Sequence, residues 1–403
     1  MAAKKINRRK FIANCGVGLA GAGLVLNRIG VPPAFGEEKS ATKTPHTPTM
    51  EYRTLGRTGL KVSSIGLGAM RLKEPAVLFK ALEKGINLFD TAHEYQNGNN
   101  EKMIGKVLKE YGRKKAFVMT KIFPCQKPTS VSEKRPMLEG KKLDEMMDIS
   151  LKRLQSDYVD ILLAQNIMDP NWLTHETMLK FFERLKKSGK ARFVGVALHD
   201  PRCYVPAADA VTASKVVDVL LAWFNFKSPS NYLEALKRAG KANVGVIAMK
   251  TQLGGYAQGA GPALSPHQAA LRWALDQDFI SSTIPGMVNM EQLQENVGAL
   301  GSKTSWSNRK ILHAYYNTIR NRYCTMCGEC MSTCVSGVDI HTINRALMYC
   351  EGYGDYDQAR QTYCRLGDNE NGRVCLNCAS PDCRCVNGIK LAERARRAHA
   401  LFV

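Results

Sequence analysis

From Tyr52 to about Gly301, short and almost wholly apolar runs alternate with longer segments whose apolar residues recur every three or four positions. The apolar runs fall at 62–66, 86–90, 117–121, 159–164, 193–197, 219–223, 244–249 and 280–285. Continuous apolar runs of this length suit strands buried on both faces, as in a parallel sheet. Between them, EPAVLFKALEKG and LDEMMDISLKRLQ carry helical spacing and read as amphipathic connectors. Eight such units predict a (β/α)8 TIM barrel, whose reactive groups gather at the C-terminal ends of the strands. Asp90, Lys121, Gln165 and Lys250 all fall at such ends.

Beyond residue 305 this alternation stops and cysteines take over. Cys324-x2-Cys327-x2-Cys330-x3-Cys334 has the spacing that wraps thiolates around a [4Fe-4S] cube, with the fourth cysteine reaching a neighbouring cluster. Cys375-x2-Cys378-x4-Cys383-x-Cys385 is less regular: the outer positions fit the same spacing, but 381 is Pro and the third thiol falls at Cys383. A second cluster, a zinc site and disulfide pairing are all compatible with that run. The cross-over rule assigns Cys324, Cys327, Cys330 and Cys385 to one cluster, and Cys375, Cys378, Cys383 and Cys334 to the other. Cys350 and Cys364 read as ordinary helix residues, and Cys15, Cys125 and Cys203 lack partner spacing.

The N-terminus has a different character. Asn7-Arg8-Arg9-Lys10-Phe11-Ile12, the apolar CGVGLAGAGLVL and the small-residue exit Ala34-Phe35-Gly36 read as a twin-arginine export leader. The apolar run is short and glycine-rich, so no stable membrane span is expected. The twin-arginine route carries folded proteins, which would allow clusters to be inserted in a reducing cytoplasm before export. The expected organisation is a leader over 1–36, a Thr/Pro-rich linker over 37–50, a barrel over 51–305 and a small iron-sulfur domain over 306–403. Periplasmic or other extracytoplasmic placement follows.

Charge modifies this picture only modestly. The formal net charge is +21, but the leader holds Lys4, Lys5, Arg8, Arg9, Lys10 and Arg28 with no acid before Glu37. Cluster ligation would also convert thiols to thiolates. The remaining basic surface, including Arg384 and KLAERARRAHALF, suits an acidic redox partner protein. No nucleic-acid-binding motif accompanies the charge.

YRTLGRTGLKVSSIGLGAMRL, INLFDTAHEYQNGNNEKMIGKVL, the strand ending in Thr120-Lys121, SDYVDILLAQN and TIPGMVNMEQLQENVGAL together resemble the aldo/keto reductase family over nearly the whole barrel. CTMCGECMSTCVSGVDI and GDYDQARQTY resemble the mainly helical, ferredoxin-like iron-sulfur extension that some members carry. The resemblance implies that Asp90, Tyr95 and Lys121 form the catalytic group. A lysine ammonium would favour tyrosinate and lower the Tyr95 pKa, a carboxylate would hold the lysine, and Tyr95 would exchange a proton with a carbonyl or alcohol oxygen.

This chain departs from the family where cofactor and substrate meet. Gln165 stands in place of the family's histidine; its amide can orient substrate but cannot titrate near neutrality. His93 and His199 are candidate substitutes. Ala197-Leu198 replaces the Ser-Asn pair that grips a nicotinamide carboxamide, Leu221 replaces a Gln, and Met249 replaces a stacking aromatic. Gly286, Glu295 and Asn296 keep the dinucleotide pattern and Lys250 could face a pyrophosphate, but Gln292 stands where an Arg would bind a 2′-phosphate. The expectation is therefore an exported iron-sulfur oxidoreductase acting on a small carbonyl or alcohol substrate, with two [4Fe-4S] clusters and NAD(P) retained as an alternative. A conventional NAD(P)-dependent reductase with structural clusters and a non-catalytic electron-transfer subunit are the competing readings.

Overall fold

The computed structural model describes residues 49–125, 137–167, 169–254, 264–301, 304–379 and 382–403. The expected leader and Cys15 lie outside them. Thr47–Val403 forms one compact unit.

The alternating pattern folds into eight parallel strands in sequential order, β3 to β10. They are β3 (Leu67–Gly68), β4 (Leu88–Asp90), β5 (Phe117–Ile122), β6 (Val159–Ala164), β7 (Ala191–Leu198), β8 (Val219–Trp223), β9 (Gly245–Met249) and β10 (Ser282–Thr283). Strands β6, β8 and β9 are buried at every position, as expected of a sheet covered on both faces. The ring closes through the backbone rather than through a long final pairing. Gly66 N donates to Thr283 O at 2.7 Å and Gly68 N to Pro285 O at 2.9 Å, with parallel bridges Ile65↔Thr283 and Gly68↔Gly286.

The first expected strand, 62–66, is corrected. Lys61–Ser63 (β2) instead pairs antiparallel with Tyr52–Thr54 (β1), and the barrel strand begins only at Leu67. The turn at Gly56–Thr58 ends on Gly59 with φ of 68°, folding the chain back before it enters the barrel. Val62 is fully buried in this hairpin, so its apolar character records burial beneath the barrel rather than membership of the ring. The last strand is likewise shorter than 280–285.

After the barrel the described segment is helical and has no strand: α9 (Trp306–Ile319), α10 (Ile340–Leu347), α11 (Tyr356–Tyr363) and α12 (Leu391–Phe402). Every residue of α10 is buried. A π-helical turn, Met348–Gly352, follows it. Such turns commonly sit at functional sites.

This segment docks on the barrel mouth. Gly254, with φ of 80°, receives the Met348 side chain so closely that an added Cβ would lie 2.2 Å from Sδ. Arg202 forks to Asp200 at 2.6 Å and to Asp339 at 3.2 Å, and His341 Nε2 lies 3.3 and 3.1 Å from the same two carboxylates. Burial alone would raise the Asp200 carboxyl, yet His341 and Arg202 outweigh it and hold it well below the usual range. Arg365 pairs with Glu94, and Gln361 Nε2 donates to Asn97 Oδ1 at 2.9 Å.

Candidate functional site at the barrel mouth

Asp90 ends β4 and Lys121 lies in β5, strands whose register sets Asp90 opposite Met119. Inward side chains at these positions meet: Lys121 Nζ is 2.6 Å from Asp90 Oδ1 and donates to Thr91 O at 2.5 Å. Both residues are almost fully buried. Burial raises the Asp90 pKa and lowers that of Lys121; in each case the partner opposes the shift.

Tyr95 is carried by a tight turn that the chain over-determines. Gln96 and Asn97 have φ of 53° and 54°, and Gln96 Nε2 donates to Met70 O at 3.1 Å and Leu72 O at 2.9 Å. Left-handed backbone at consecutive non-glycine residues persists only where surrounding contacts enforce it. The Tyr95 ring lies with Lys121 Nζ 4.7 Å from its centroid. The structure thus brings the three family residues together, but the expected acidification of Tyr95 does not occur. Burial, with Asp90, Tyr349 and Glu94, pushes its pKa well above the ordinary value, and only Arg345 opposes them. Lys121 faces the ring rather than stabilising a phenolate, and its charge is largely taken by Asp90.

Two adjoining hollows share Met70, Tyr95, His199 and Tyr349. The first encloses about 770 Å³, part of it open to solvent, between Asp90, Lys121, Met249, Lys250 and Gly286. Lys250 has φ of 58° and points its ammonium at the faces of Tyr349 and Tyr353, 4.6 and 4.7 Å from their centroids. Burial, aided by Arg345, lowers its pKa to about 7. The second hollow, about 530 Å³, is lined by Gln165, Asn166, Thr342 and Arg345 among others. Gln165 Oε1 and His199 Nδ1 are buried there without hydrogen-bond partners.

The two histidine candidates separate. His199 lines both hollows, and burial drives its pKa well below the ordinary value, so it stands neutral at the mouth. His93 turns away, its Nδ1 2.9 Å from Ser150 Oγ, and lines neither hollow.

Among the described residues, the nicotinamide contacts do not reassemble from other positions. Ala197, Leu198 and Leu221 are buried and apolar. Glu295 lies 3.4 Å from His267 Nδ1, and that hydrogen bond holds its pKa down despite opposing burial. Asn296 accepts from Gln252 Nε2 at 2.8 Å and donates to Gly286 O at 3.3 Å. Gln292 Oε1 accepts from Val288 N at 3.0 Å, so it braces its own turn. Among the described residues of that pattern, Gly286, beside which an added Cβ would meet nothing within 4 Å, and Lys250 retain an aspect open to a dinucleotide. The residues present do not fit a nicotinamide carboxamide.

Behind the mouth, the eight motif thiols gather into two hollows. Cys324, Cys327, Cys330 and Cys385 line one; Cys334, Cys375, Cys378 and Cys383 line the other. No described cysteine forms a disulfide. Four sulfurs bound about 2.3 Å from one tetrahedral zinc would stand ~3.8 Å apart. Among the described residues only Asp200, Asp339 and His341 bring three metal-capable atoms within 4.8 Å of one another, and those two carboxylates already serve Arg202. Neither thiol quartet forms such a group, yet four soft donors converge on each hollow, a set that a metal centre could occupy. Backbone N–H groups also turn toward sulfur: Met326 N donates to Cys324 Sγ at 3.3 Å and Asn387 N to Cys385 Sγ at 3.4 Å. Burial pushes the Cys324 and Cys330 thiols up to about 12. These sites disfavour bare thiolates and would hold them only against a cation. Cys350 and Cys364 line neither hollow.

Arg345, Tyr349 and Tyr353 escaped the sequence reading. They recur every fourth residue through NRALMYCEGY, which places them on one helical face, and that periodicity was the available signal.

The family model described as "Aldo/keto reductase family" matches residues 64–261 and 259–311. L-galactose dehydrogenase of Arabidopsis thaliana is 31% identical over 290 residues, covering 62% of this chain and 88% of that protein. A putative voltage-gated potassium channel subunit beta of Schizosaccharomyces pombe is 30% identical over 320 residues, covering 65% and 91%. The holo form of aldo-keto reductase AKR11C1 from Bacillus halodurans superposes with a TM-score of 0.53 at 22% identity, covering 66% of this chain and 96% of that one, a likeness of fold. The family match ends at residue 311, ahead of every thiol of the two quartets. Aldo/keto reductases generally use NAD(P), and this chain is an oxidoreductase belonging to the aldo/keto reductase family.

Proposed function

We propose that this protein is an exported iron-sulfur oxidoreductase that interconverts a carbonyl and an alcohol, with electrons exchanged through two [4Fe-4S] clusters. One observation carries the reading: the buried helix α10 faces both the thiols and the reactive mouth. Ile340 lines one thiol hollow, His341 and Asn344 line the other, and Thr342 and Arg345 line the chamber beside Tyr95. A helix with its side chains is about 10–12 Å across, so the thiols lie roughly that far from the chamber.

Cys324, Cys327, Cys330 and Cys385 would hold one cluster, and Cys334, Cys375, Cys378 and Cys383 the other, in the ferredoxin-like manner that the spacing suggests. Two such clusters supply capacity for the two electrons by which an alcohol and its carbonyl differ. The chain's own residues do the remaining work. Reduction of the carbonyl takes two electrons and two protons. Tyr95, kept protonated by its buried setting, would give one proton to the oxygen; the carbon-bound hydrogen would come from solvent admitted by the partly open first hollow. Oxidation would run the same steps backward from tyrosinate. Lys121 and Asp90 fix the ring's environment, and neutral His199 and Gln165 offer hydrogen bonds to the same oxygen. The nicotinamide contacts this chain lacks argue against a free dinucleotide. The twin-arginine sequence supports export, and the basic helix α12 suits an acidic redox partner.

The test is anaerobic. Protein with reduced clusters is mixed with a panel of small carbonyl compounds, and cluster reoxidation is followed optically. Reoxidation by at least one compound that slows about 100-fold or more in Tyr95→Phe supports the reading. Equal rates in both proteins, or reduction of the panel by NADPH without any cluster response, would sink it.

A further inference from the structure

Arg345 is 7% exposed, yet its recorded hydrogen bond is to a neutral group, the Asn166 Oδ1 at 3.2 Å. No carboxylate pairs with it among the described residues. A buried charge normally has an ionic partner, and arginine cannot escape the cost by losing its proton. Neighbouring groups do not help. Asp90 is taken by Lys121, Glu94 by Arg365, and His199 is held neutral by its burial. Arg71 adds positive charge to the same mouth, and Lys250, with its pKa lowered to about 7, adds part of one. The buried Gln165 Oε1 and His199 Nδ1 meanwhile wait without partners in the chamber that Arg345 lines.

We infer that this chamber takes an anionic substrate, a small carbonyl or hydroxy compound bearing a carboxylate or phosphate. Its anionic group pairs with Arg345 while its reacting oxygen lies toward Tyr95, His199 and Gln165. The inference rests on the proposed alcohol/carbonyl activity and gives it a substrate class. Arg345 belongs to the segment beyond the family match, so substrate selection is supplied by the iron-sulfur extension rather than by the barrel. The guanidinium fork matches either oxyanion.

The test measures binding without turnover. Full-length, cluster-loaded protein is titrated calorimetrically with oxalate and, separately, with inorganic phosphate at low ionic strength; the two arms distinguish carboxylate from phosphate recognition. Saturable binding of at least one anion is expected, weakened about 30-fold in Arg345→Gln and within about threefold of wild type in Arg238→Gln, which removes an exposed guanidinium paired with Asp209 away from the chamber. Absence of saturable binding to both, or unchanged affinity in Arg345→Gln, overturns the inference. Should Arg345→Gln fail to fold, Arg345→Lys keeps the charge without the fork: a loss of about fivefold is expected, and no loss counts against it. Anion binding in a protein that fails the cluster-reoxidation test would leave this inference standing while removing the proposed function; the converse result would do the opposite.

Discussion

The barrel and the segment that caps it are held together by different means. The barrel is a continuous apolar core, with β6, β8 and β9 wholly buried, and its reactive trio is anchored by covalent neighbours and one buried ion pair. In the capping segment, by contrast, one short helix, α10, buries His341, Thr342, Asn344 and Arg345 alongside its apolar residues. Eight thiols stand close behind, and burial disposes four of them, Cys324, Cys330, Cys375 and Cys383, to favour protons over open charge unless a cation is present. The barrel therefore rests mainly on hydrophobic burial, whereas the cap relies more on its polar locks onto the barrel and, under the proposed function, on its metal. On the proposed function this becomes a division of labour, with proton chemistry on the barrel and electron storage and substrate charge recognition on the cap.

The largest effect that would sharpen this contrast comes from removing metal ligands. Cys324→Ser combined with Cys327→Ser should abolish one cluster, seen as loss of about half the bound iron. It should also expose the cap to proteolysis while the barrel still melts cooperatively; loss of the barrel transition would break the contrast. Next, Tyr95→Phe should lower turnover about 10²–10⁴-fold without changing iron content. Lys121→Met leaves the Asp90 carboxylate buried without its partner and should cost about 3–5 kcal/mol in denaturant unfolding of the barrel. A smaller effect is expected from Gly254→Val, whose Cβ would strike Met348. Overpacking of this kind costs about 1–3 kcal/mol and should loosen the π turn, read as faster hydrogen exchange at 348–352 with the strands unaffected.

The subtlest test concerns Lys250. Its folded pKa of about 7 lies below the ordinary lysine value, so between the two values the unfolded chain binds more protons than the folded one. Stability should therefore rise with pH from about 7 toward 10 through this group, by no more than about 1.4 kcal/mol per pH unit. Comparing Lys250→Met with wild type across that range isolates the slope; identical curves would mean the ammonium is better hydrated than its aromatic enclosure implies.

Sequence pattern alone located most of the strands, because runs such as VDILLA are buried on both faces and leave no ambiguity of period. It misplaced the first strand, since an apolar Val62 reads the same whether it plugs a barrel or lines one. Asp90 and Lys121 were legible as strand ends, whereas Tyr95 entered only through the resemblance to the aldo/keto reductase family. Both thiol groupings were legible from spacing, including the irregular Cys383. The depressed basicity of Lys250 and the rise at Tyr95 were not, because both depend on burial under the distant cap, whose Arg345 lies 95 positions beyond Lys250 and 250 beyond Tyr95. Arg345 was hidden for the same reason: only docking of the cap turns an ordinary helical arginine into an uncompensated charge beside the reactive mouth.

The most direct test of the central claim is a determination of iron and acid-labile sulfide in anaerobically prepared protein, with electron paramagnetic resonance before and after reduction. About eight iron and eight sulfide per chain, with reduced-cluster signals from both sites, is the predicted result. Zinc in place of iron, or cysteines bare of metal in folded protein, would contradict it.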